Sequence, residues 1–317
     1  MDLLTTLKKA LVTVVFWSFY TVWIGSIVFA FLSIVALAFV PPMRVPIVLF
    51  YAIYTAALHL LPWGRWPFFC DFVRAFNTAF PYFDEQKLVF EDGKGPRPAK
   101  SKTLLSVHPH GVLACGWIVN GAGHAAWKDS RFHWLATDVL FVLPFITQIM
   151  YWGGGGPAGR ASFDALAKQG ENIALLPGGF EEASLFEYKK HRVFVKHRKG
   201  FVKLALQHGY TIYPAYTFGE EDTYATLSYF KAARLFLNKF KIPAVLFWGR
   251  WWCMYMPFSS AKLVTVVGKP IELPQIAQPT KEDVDKYHAA YVAALTGIFE
   301  SHKAKYASDP SATLEVL

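Results

Sequence analysis

Hydrophobic and polar positions divide this chain into two parts with different patterns. Residues 10–43 contain no charged side chain, and a second uncharged run covers residues 45–64. Each run is long enough for an α-helix that crosses a bilayer core, which takes about 20 apolar residues. Three prolines within residues 40–46 interrupt the helix between the two runs. The pattern predicts a membrane hairpin whose helices occupy about residues 10–40 and 45–63.

The first run is long for a single span, because about 30 residues would reach about 45 Å against a core of roughly 30 Å. We expect it to tilt, to break near Gly25-Ser26, or to lie partly in one leaflet. A cleaved signal peptide is the alternative, but its apolar region would have only about 7–15 residues. Lys8 and Lys9 favour a cytosolic N-terminus, and a hairpin returns the chain to that side.

The hairpin fills residues 1–66, and the remainder, residues 67–317, follows the pattern of an α/β domain. Continuous apolar runs predict strands that are buried on both faces. These runs cover residues 103–107, 172–176, 211–216 and 262–267. Helical periodicity lies between them, as in the stretch from Phe201 to His208 that Gly209 ends. Thr280 with Asp283 resembles a capping box at the start of a final helix.

A further apolar stretch covers residues 132–152. It contains Asp138 and, in its middle, Pro144. Both are poor residues for a lipid-facing helix. We therefore expect a buried or membrane-lying helix here, with a third membrane span as the alternative.

The distribution of charged residues supports the division between residues 1–66 and residues 67–317. The 317 residues carry a net charge of +9, although only 17% of them are charged. Residues 1–66 contain just Asp2, Lys8, Lys9, Arg44 and Arg65. The densest cationic segment is 189–199, where Lys189, Lys190, Arg192, Lys196, Arg198 and Lys199 stand close together. A basic domain beside a membrane hairpin predicts lipid headgroups or a phosphorylated substrate as partner, and no nucleic acid.

The three cysteines, Cys70, Cys115 and Cys253, are odd in number and form no C-x-x-C pair. This usage predicts packing roles in a reducing compartment. We expect no metal cluster.

Candidate chemistry begins at His108-Pro109-His110-Gly111, directly after the first strand of the predicted domain. In open α/β sheets, ligands bind at the carboxyl ends of strands. An imidazole is a suitable base for removing an alcohol proton. Two alternatives stay open at this point: a structural pair that caps the turn, and a metal-binding His-x-His, for which further ligands at a recognisable spacing are missing.

Two glycine-rich turns could take part. Gly178 and Gly179 follow the second strand and precede Glu181 and Glu182. Their backbone N–H groups could stabilise an oxyanion and a carboxylate could orient a histidine, or the segment is an ordinary strand-to-helix turn. The glycine run within residues 152–160 is either an anion-binding loop before a helix or a flexible linker.

Taken together, these segments resemble the diacylglycerol acyltransferase type 2 family, with its monoacylglycerol and wax-ester relatives. The resemblance runs from about residue 100 to 305 and keeps the order of the family's motifs. The matching segments are His108-Pro109-His110-Gly111, Gly178-Gly179-Phe180-Glu181-Glu182, Arg198-Lys199-Gly200-Phe201 with Ala205, Tyr213-Pro214-Ala215-Tyr216, Phe218-Gly219-Glu220, Phe247-Trp248-Gly249-Arg250, Val267-Gly268-Lys269-Pro270-Ile271 and His288. Two departures, Pro81-Tyr82-Phe83 for a YFP triplet and Ile34 at a leucine position, leave the acceptor open.

The resemblance implies an α/β, membrane-anchored, glycerolipid-acyltransferase-like domain with an N-terminal hydrophobic helical hairpin. It implies an acyl-CoA-dependent O-acyltransferase that esterifies diacylglycerol to triacylglycerol. Monoacylglycerol or a long-chain alcohol is the alternative acceptor, and a non-catalytic hairpin protein is the alternative class. The expected location is the endoplasmic reticulum membrane or lipid droplets, with the catalytic domain facing the cytosol. The expected partners are acyl-CoA, diacylglycerol and membrane lipids, and a homo-oligomer is allowed.

The resemblance also implies residue roles. His108 or His110 acts as general base. Glycerolipid acyltransferases in the wider sense place an aspartate five positions after their histidine, where this chain has Leu113 and Cys115, so we expect the acid partner to be Glu182 or Glu220. The remaining assignments are Gly111, Gly178 and Gly179 for the oxyanion, Arg160, Arg198 and Lys199 for the CoA phosphates, and Pro109, Phe201, Glu220 and Arg250 in support. No metal or redox cofactor is expected, because a thioester is already an activated acyl donor.

Overall fold

The structure is a computed structural model that describes residues 3–227, 229–238 and 245–317. Its helices are α1 (Leu3–Phe39), α2 (Arg44–Leu60), α3 (Pro67–Ala79), α4 (Ile146–Trp152), α5 (Arg160–Lys168), α6 (Gly179–Leu185), α7 (Gly200–His208), α8 (Lys231–Asn238) and α9 (Lys281–Tyr306). Its strands are β1 (Glu85–Phe90), β2 (Thr103–His108), β3 (His133–Ala136), β4 (Gly155–Pro157), β5 (Ile173–Leu175), β6 (Arg192–Val193), β7 (Thr211–Phe218), β8 (Ala225–Leu227), β9 (Leu246–Trp248), β10 (Lys262–Val267), β11 (Ile271–Glu272) and β12 (Glu315–Val316).

An eight-stranded sheet forms the centre of the globular part, in the order β1-β10-β7-β2-β5-β3-β4, with β11 paired to β7. Strand β2 pairs in parallel with both β5 and β7, so their carboxyl ends meet at one edge of the sheet. Every residue of β2 is buried, as expected for a strand covered on both faces. The four predicted strand runs and the α/β fold class are confirmed.

Helices predicted from local signals begin and end where expected. Helix α7 ends at Gly209, which adopts a left-handed conformation with φ of 67°. Thr280 and Asp283 form both hydrogen bonds of a capping box at the start of α9. The buried side of α9, which includes Val284, Tyr291 and Leu295, packs into the same core as β7.

The predicted hairpin is present, with somewhat different bounds. Helix α1 is continuous from Leu3 to Phe39, so it does not break at Gly25-Ser26. A short 3-10 turn over Pro41–Met43 joins it to α2. In the described part of the chain, two helical segments are long and apolar enough to cross a membrane, Leu3–Phe39 and Pro41–Leu60. The most apolar window of the second segment has none of its residues buried, so the surroundings must cover these side chains.

The first half of α1 is part of the globular core. Val12, Phe16 and Tyr20 are buried. The ring of Phe16 stacks on that of Tyr82 with 4.4 Å between centroids. The hydroxyl of Tyr20 lies 3.4 Å from the sulfur of Cys115. Helix α1 therefore connects the exposed apolar hairpin with the loop that follows β2.

Two sequence expectations are wrong. Residues 132–152 do not form one helix: they contain β3, a 3-10 turn over Asp138–Phe141 and α4. Strand β3 pairs with β5 and β4, and this tertiary pairing overrides the local apolar pattern. The alternative of a flexible linker at the glycine run is wrong, because Gly155–Pro157 form the edge strand β4, and the anion-binding role of this run stays a prediction.

We predict that the docking of α1 contributes to the stability of the globular part. Phe16→Ala removes a buried ring that stacks on Tyr82, and should lower the free energy of unfolding by about 3 kcal/mol. The measurement is denaturant unfolding of the purified chain in mild detergent, followed by near-UV circular dichroism. Phe31→Ala, at an exposed position of the same helix, serves as the control and should leave the midpoint unchanged. Equal effects of the two substitutions would contradict the prediction.

Candidate active site

The site forms where β2 reaches the carboxyl edge of the sheet. His108 is the last residue of β2, and its side chain is fully buried. Pro109 follows through a cis peptide bond. His110 is less buried, and its Nδ1 lies 3.0 Å from the carbonyl oxygen of Gly111. The two histidines therefore occupy different environments, although they are two residues apart.

Glu182, in the first turn of α6, provides the acid partner. Its Oε2 lies 2.8 Å from Nδ1 of His108. The same carboxylate accepts hydrogen bonds from the backbone N–H groups of Phe194 and His110. Gly178 makes room for this arrangement, since a Cβ at that position would lie 2.2 Å from Oε2 of Glu182. One buried carboxylate thus holds the ring of the first histidine and the backbone of the second.

The charge of the Glu182 carboxylate determines which tautomer of His108 is favoured. Burial alone would raise the pKa of Glu182, but the His108 ring and the two backbone N–H groups outweigh burial and lower it. An ionised carboxylate favours the His108 tautomer that carries its proton on Nδ1. In a neutral ring of this tautomer, Nε2 is the acceptor nitrogen, and Nε2 of His108 is buried without a hydrogen-bond partner in the described part of the chain. This arrangement can accept a proton from an alcohol.

Glu220, the other acid considered as a partner of the histidines, binds the backbone of the loop that follows them. Its carboxylate accepts hydrogen bonds from the backbone N–H groups of Cys115 at 3.0 Å and Gly116 at 2.6 Å. Gly111 has φ of 67°, and a Cβ there would lie 2.0 Å from Oε1 of Glu220. Burial raises the pKa of Glu220 to about 7. Glu220 therefore positions the loop, and Glu182 is the acid that contacts His108.

Comparisons with known proteins identify the family. Residues 88–317 match the family model described as diacylglycerol acyltransferase. The chain belongs to the diacylglycerol acyltransferase family. Human 2-acylglycerol O-acyltransferase 3 is 34% identical over 65% of this chain and 66% of its own length. Diacylglycerol O-acyltransferase 2 from Bos taurus is 33% identical over 67% of this chain, and 64% of that relative is covered.

Other relatives extend the comparison. Human acyl-CoA wax alcohol acyltransferase 1 is 33% identical over 64% of this chain and 67% of its own length. Diacylglycerol O-acyltransferase 2 from Dictyostelium discoideum is 32% identical over 77% of this chain and 76% of its own. The crystal structure of the 1-acyl-sn-glycerophosphate (LPA) acyltransferase PlsC from Thermotoga maritima superposes on 97% of this chain and 98% of its own, with 17% identity and a TM-score of 0.46.

In this family member, the three predicted phosphate-binding cations do not converge. Arg198 forms an ion pair with Glu181, and its guanidinium lies 5.4 Å from the ring centroid of Phe194. The backbone N–H of Phe194 in turn donates a hydrogen bond to Glu182. Nζ of Lys199 lies 2.6 Å from Asp285.

Arg160 lies at the start of α5, after the edge strand β4. It pairs with Asp164 at 3.5 Å, and Asp164 also contacts His208 at the other end of α7 from Arg198 and Lys199. A role for the three cations at CoA phosphates stays a prediction.

The remaining predicted residues have clear contacts. Phe201 meets the ring of Tyr291 edge-on at 4.9 Å, and that ring lies 6.2 Å from the ring of His108. Arg250 donates a hydrogen bond to Oγ of Ser259 at 3.0 Å. The N–H of Gly179 donates to the carbonyl oxygen of Leu176 at 3.2 Å. The oxyanion role of Gly111, Gly178 and Gly179 stays a prediction.

Sequence analysis missed a second buried polar group behind the site. The hydroxyl of Tyr216 lies 3.0 Å from Nδ1 of His191, whose Nε2 lies 3.5 Å from Glu221. Burial lowers the pKa of His191 to about 4 and raises the pKa of Glu221 to about 8. Both side chains are therefore mainly uncharged at pH 7. The one signal in the sequence was three consecutive acids, 220–222, directly after a buried strand.

We predict that stability falls as the pH rises from 6.5 to 8. The pKa of Glu221 is about 8 in the folded chain, above its ordinary value of 4.5, so the folded state holds a proton that the unfolded state has released. His191 acts in the opposite direction, but only below its ordinary value of 6.5. Glu221→Gln should reduce the loss of thermal midpoint across this window. Glu282→Gln, at an exposed carboxylate, is the control, and an unchanged slope in Glu221→Gln would contradict the assignment.

Proposed function

We propose that this chain transfers a fatty acyl group from acyl-CoA to the free hydroxyl of diacylglycerol and so makes triacylglycerol. The observation that carries the proposal is the His108–Glu182 pair, with Nε2 of His108 left as a free acceptor at the carboxyl end of β2. Family membership supports acyl transfer as the reaction, and relatives named diacylglycerol O-acyltransferase 2 support the acceptor.

In the proposed mechanism, Nε2 of His108 removes the proton from the acceptor hydroxyl. The alkoxide oxygen attacks the thioester carbonyl carbon, the C–S bond breaks, and CoA leaves as a thiolate. The proton on Nε2 then passes to the thiolate sulfur, so His108 returns to its starting state. Glu182 keeps the ring in the required tautomer and stabilises the imidazolium that forms in between. This sequence requires no metal or redox cofactor.

The burial of His108 has a consequence for substrate entry. Because its side chain is closed off from solvent, surrounding groups must move before an acceptor reaches Nε2. The same closure excludes water, which would otherwise compete with the acceptor for the thioester. Arg198 and Lys199 are the proposed partners of the CoA phosphates, and Glu181 and Asp285 hold them in position in the meantime.

The hairpin supports a membrane location for this chemistry. Its exposed apolar helices would place the domain at a lipid surface, where a diacylglycerol acceptor and its product dissolve. We propose the endoplasmic reticulum membrane, with the catalytic domain facing the cytosol, and lipid droplets as a further location.

Three variants test the mechanism. His108→Asn keeps an N–H near the position of Nδ1 for Glu182 but lacks Nε2, and should lower kcat by at least about 100-fold. Glu182→Gln removes the charge at nearly constant volume and should also lower kcat strongly. His110→Ala should retain measurable activity, since the hydrogen bond from His110 to Glu182 comes from its backbone N–H, which alanine keeps. The measurement is triacylglycerol formation in microsomes at matched expression. Near-normal activity in His108→Asn would exclude His108 as the base.

The acceptor is tested separately. Relatives named for 2-acylglycerol and wax alcohol substrates are as similar to this chain as those named for diacylglycerol, so the same chemistry on these acceptors is the second candidate. A panel of diacylglycerol, monoacylglycerol and a long-chain alcohol, with one labelled acyl-CoA, should give the highest kcat/KM with diacylglycerol. His108→Asn serves as the blank. A higher kcat/KM for another acceptor would change the substrate and leave the mechanism intact.

A further inference from the structure

A turn outside the active site exposes several large apolar side chains together. The turn comprises residues 249–256, after strand β9. Trp251 at its tip is 96% exposed, and Trp252 and Met254 are exposed beside it. A single exposed apolar side chain is ordinary, but a cluster of them marks a contact surface. We call this segment the Trp251 turn.

The backbone of the Trp251 turn is closed on itself. The N–H of Gly249 donates to the carbonyl oxygen of Met254 at 2.7 Å, and the N–H of Arg250 donates to Met256 at 2.9 Å. A Cβ at Gly249 would lie 1.7 Å from the Met256 oxygen, so the closure requires glycine. These hydrogen bonds pair backbone groups at the base of the turn and hold the tip, which carries Trp251 and Trp252, in a closed loop.

The Trp251 turn is continuous with the hairpin. The hydroxyl of Tyr255 lies 2.9 Å from Oγ1 of Thr21 in α1. Cys253 and Tyr255 belong to the same apolar cluster as Trp23 and Ile24. Just beyond this contact, Ile27 and Val28 of α1 are exposed. The turn therefore stands beside the middle of α1, next to this exposed stretch.

Charge favours one kind of surface as the partner. Residues 223–271 contain seven Lys or Arg and no Asp or Glu, and one of the seven, Arg250, lies within the turn itself. Within the turn, the guanidinium of Arg250 lies 5.7 Å from the ring centroid of Trp252. Tryptophan beside a cation is typical of the membrane–water interface, and a segment without acids suits anionic headgroups.

We propose that the Trp251 turn is a second membrane contact, which inserts into the headgroup region of the lipid surface that holds the hairpin and binds anionic phospholipid there. The inference rests on the proposed membrane insertion of the hairpin and is independent of the acyl-transfer chemistry. Two contacts with one surface fix the tilt of the domain. The carboxyl edge of the sheet then keeps a constant orientation towards the bilayer that contains the acceptor.

Site-directed photocrosslinking of the full-length chain tests the proposal. The chain is reconstituted in vesicles of phosphatidylcholine with phosphatidylserine, one lipid being radiolabelled at a time, and carries the variant Trp251→benzoylphenylalanine. The exposed side chain makes no packing contact that the replacement would break. Irradiation should link position 251 to phospholipid. Omission of phosphatidylserine should lower the yield several-fold.

Two matched positions complete the experiment. Ile53, exposed on α2, should label lipid, and Ala293, exposed on α9, should not. Labelling at 53 without labelling at 251 would overturn the proposal and leave the hairpin anchor standing. No labelling at either would remove the anchor as well.

The remaining outcomes identify another occupant or limit the proposal. A cross-link from 251 to a second copy of the chain, or to labelled acyl-CoA, would overturn the proposal and assign the turn to a dimer interface or to the donor. A yield independent of phosphatidylserine would overturn the anionic preference.

Discussion

The carboxylate of Glu182 is the interaction on which the candidate site depends. It binds the ring of His108 and the backbone N–H groups of His110 and Phe194, and it does so in a buried position. A buried carboxylate is costly unless its oxygens are hydrogen-bonded, so these partners and the carboxylate require one another. The small volume of Gly178 belongs to the same constraint, because any side chain there would displace the carboxylate. The contacts that orient the ring of His108 are thus the same contacts that make the burial of this carboxylate possible.

The sheet order brings these contacts together. Strand β2 lies between β5 and β7, all three run in parallel, and each ends in a segment of the site. β2 ends at His108, β5 precedes the turn that carries Glu182, and β7 precedes Glu220. The two acids have different partners: Glu182 contacts the ring of His108, and Glu220 accepts a hydrogen bond from the backbone of the loop that follows. A single edge can support both because the parallel strands place three consecutive turns on one side.

The apolar helix α1 is joined to this edge by packing. Helix α1 contacts the loop that Glu220 holds, through Tyr20 and Cys115, and it contacts the Trp251 turn through Thr21 and Tyr255. A shift of α1 would therefore alter the packing contacts at both places. Through these contacts, the apolar N-terminal helix packs against the same part of the chain that carries the candidate site.

The sequence by itself determined the features that depend on local patterns. The hairpin, the four core strands, the end of α7 at Gly209 and the capping box at Thr280 all follow from hydrophobic periodicity and turn chemistry within a few residues. The motif order also identified the family. Tertiary structure alone decided the rest. The choice of Glu182 over Glu220 as the acid that contacts His108, 74 residues away, depends on the fold. Residues 133–136 of the apolar stretch form a strand because β4 and β5 flank them, and Glu221 meets His191 across two elements. Such contacts depend on the order of strands in the sheet, and no spacing along the chain records that order.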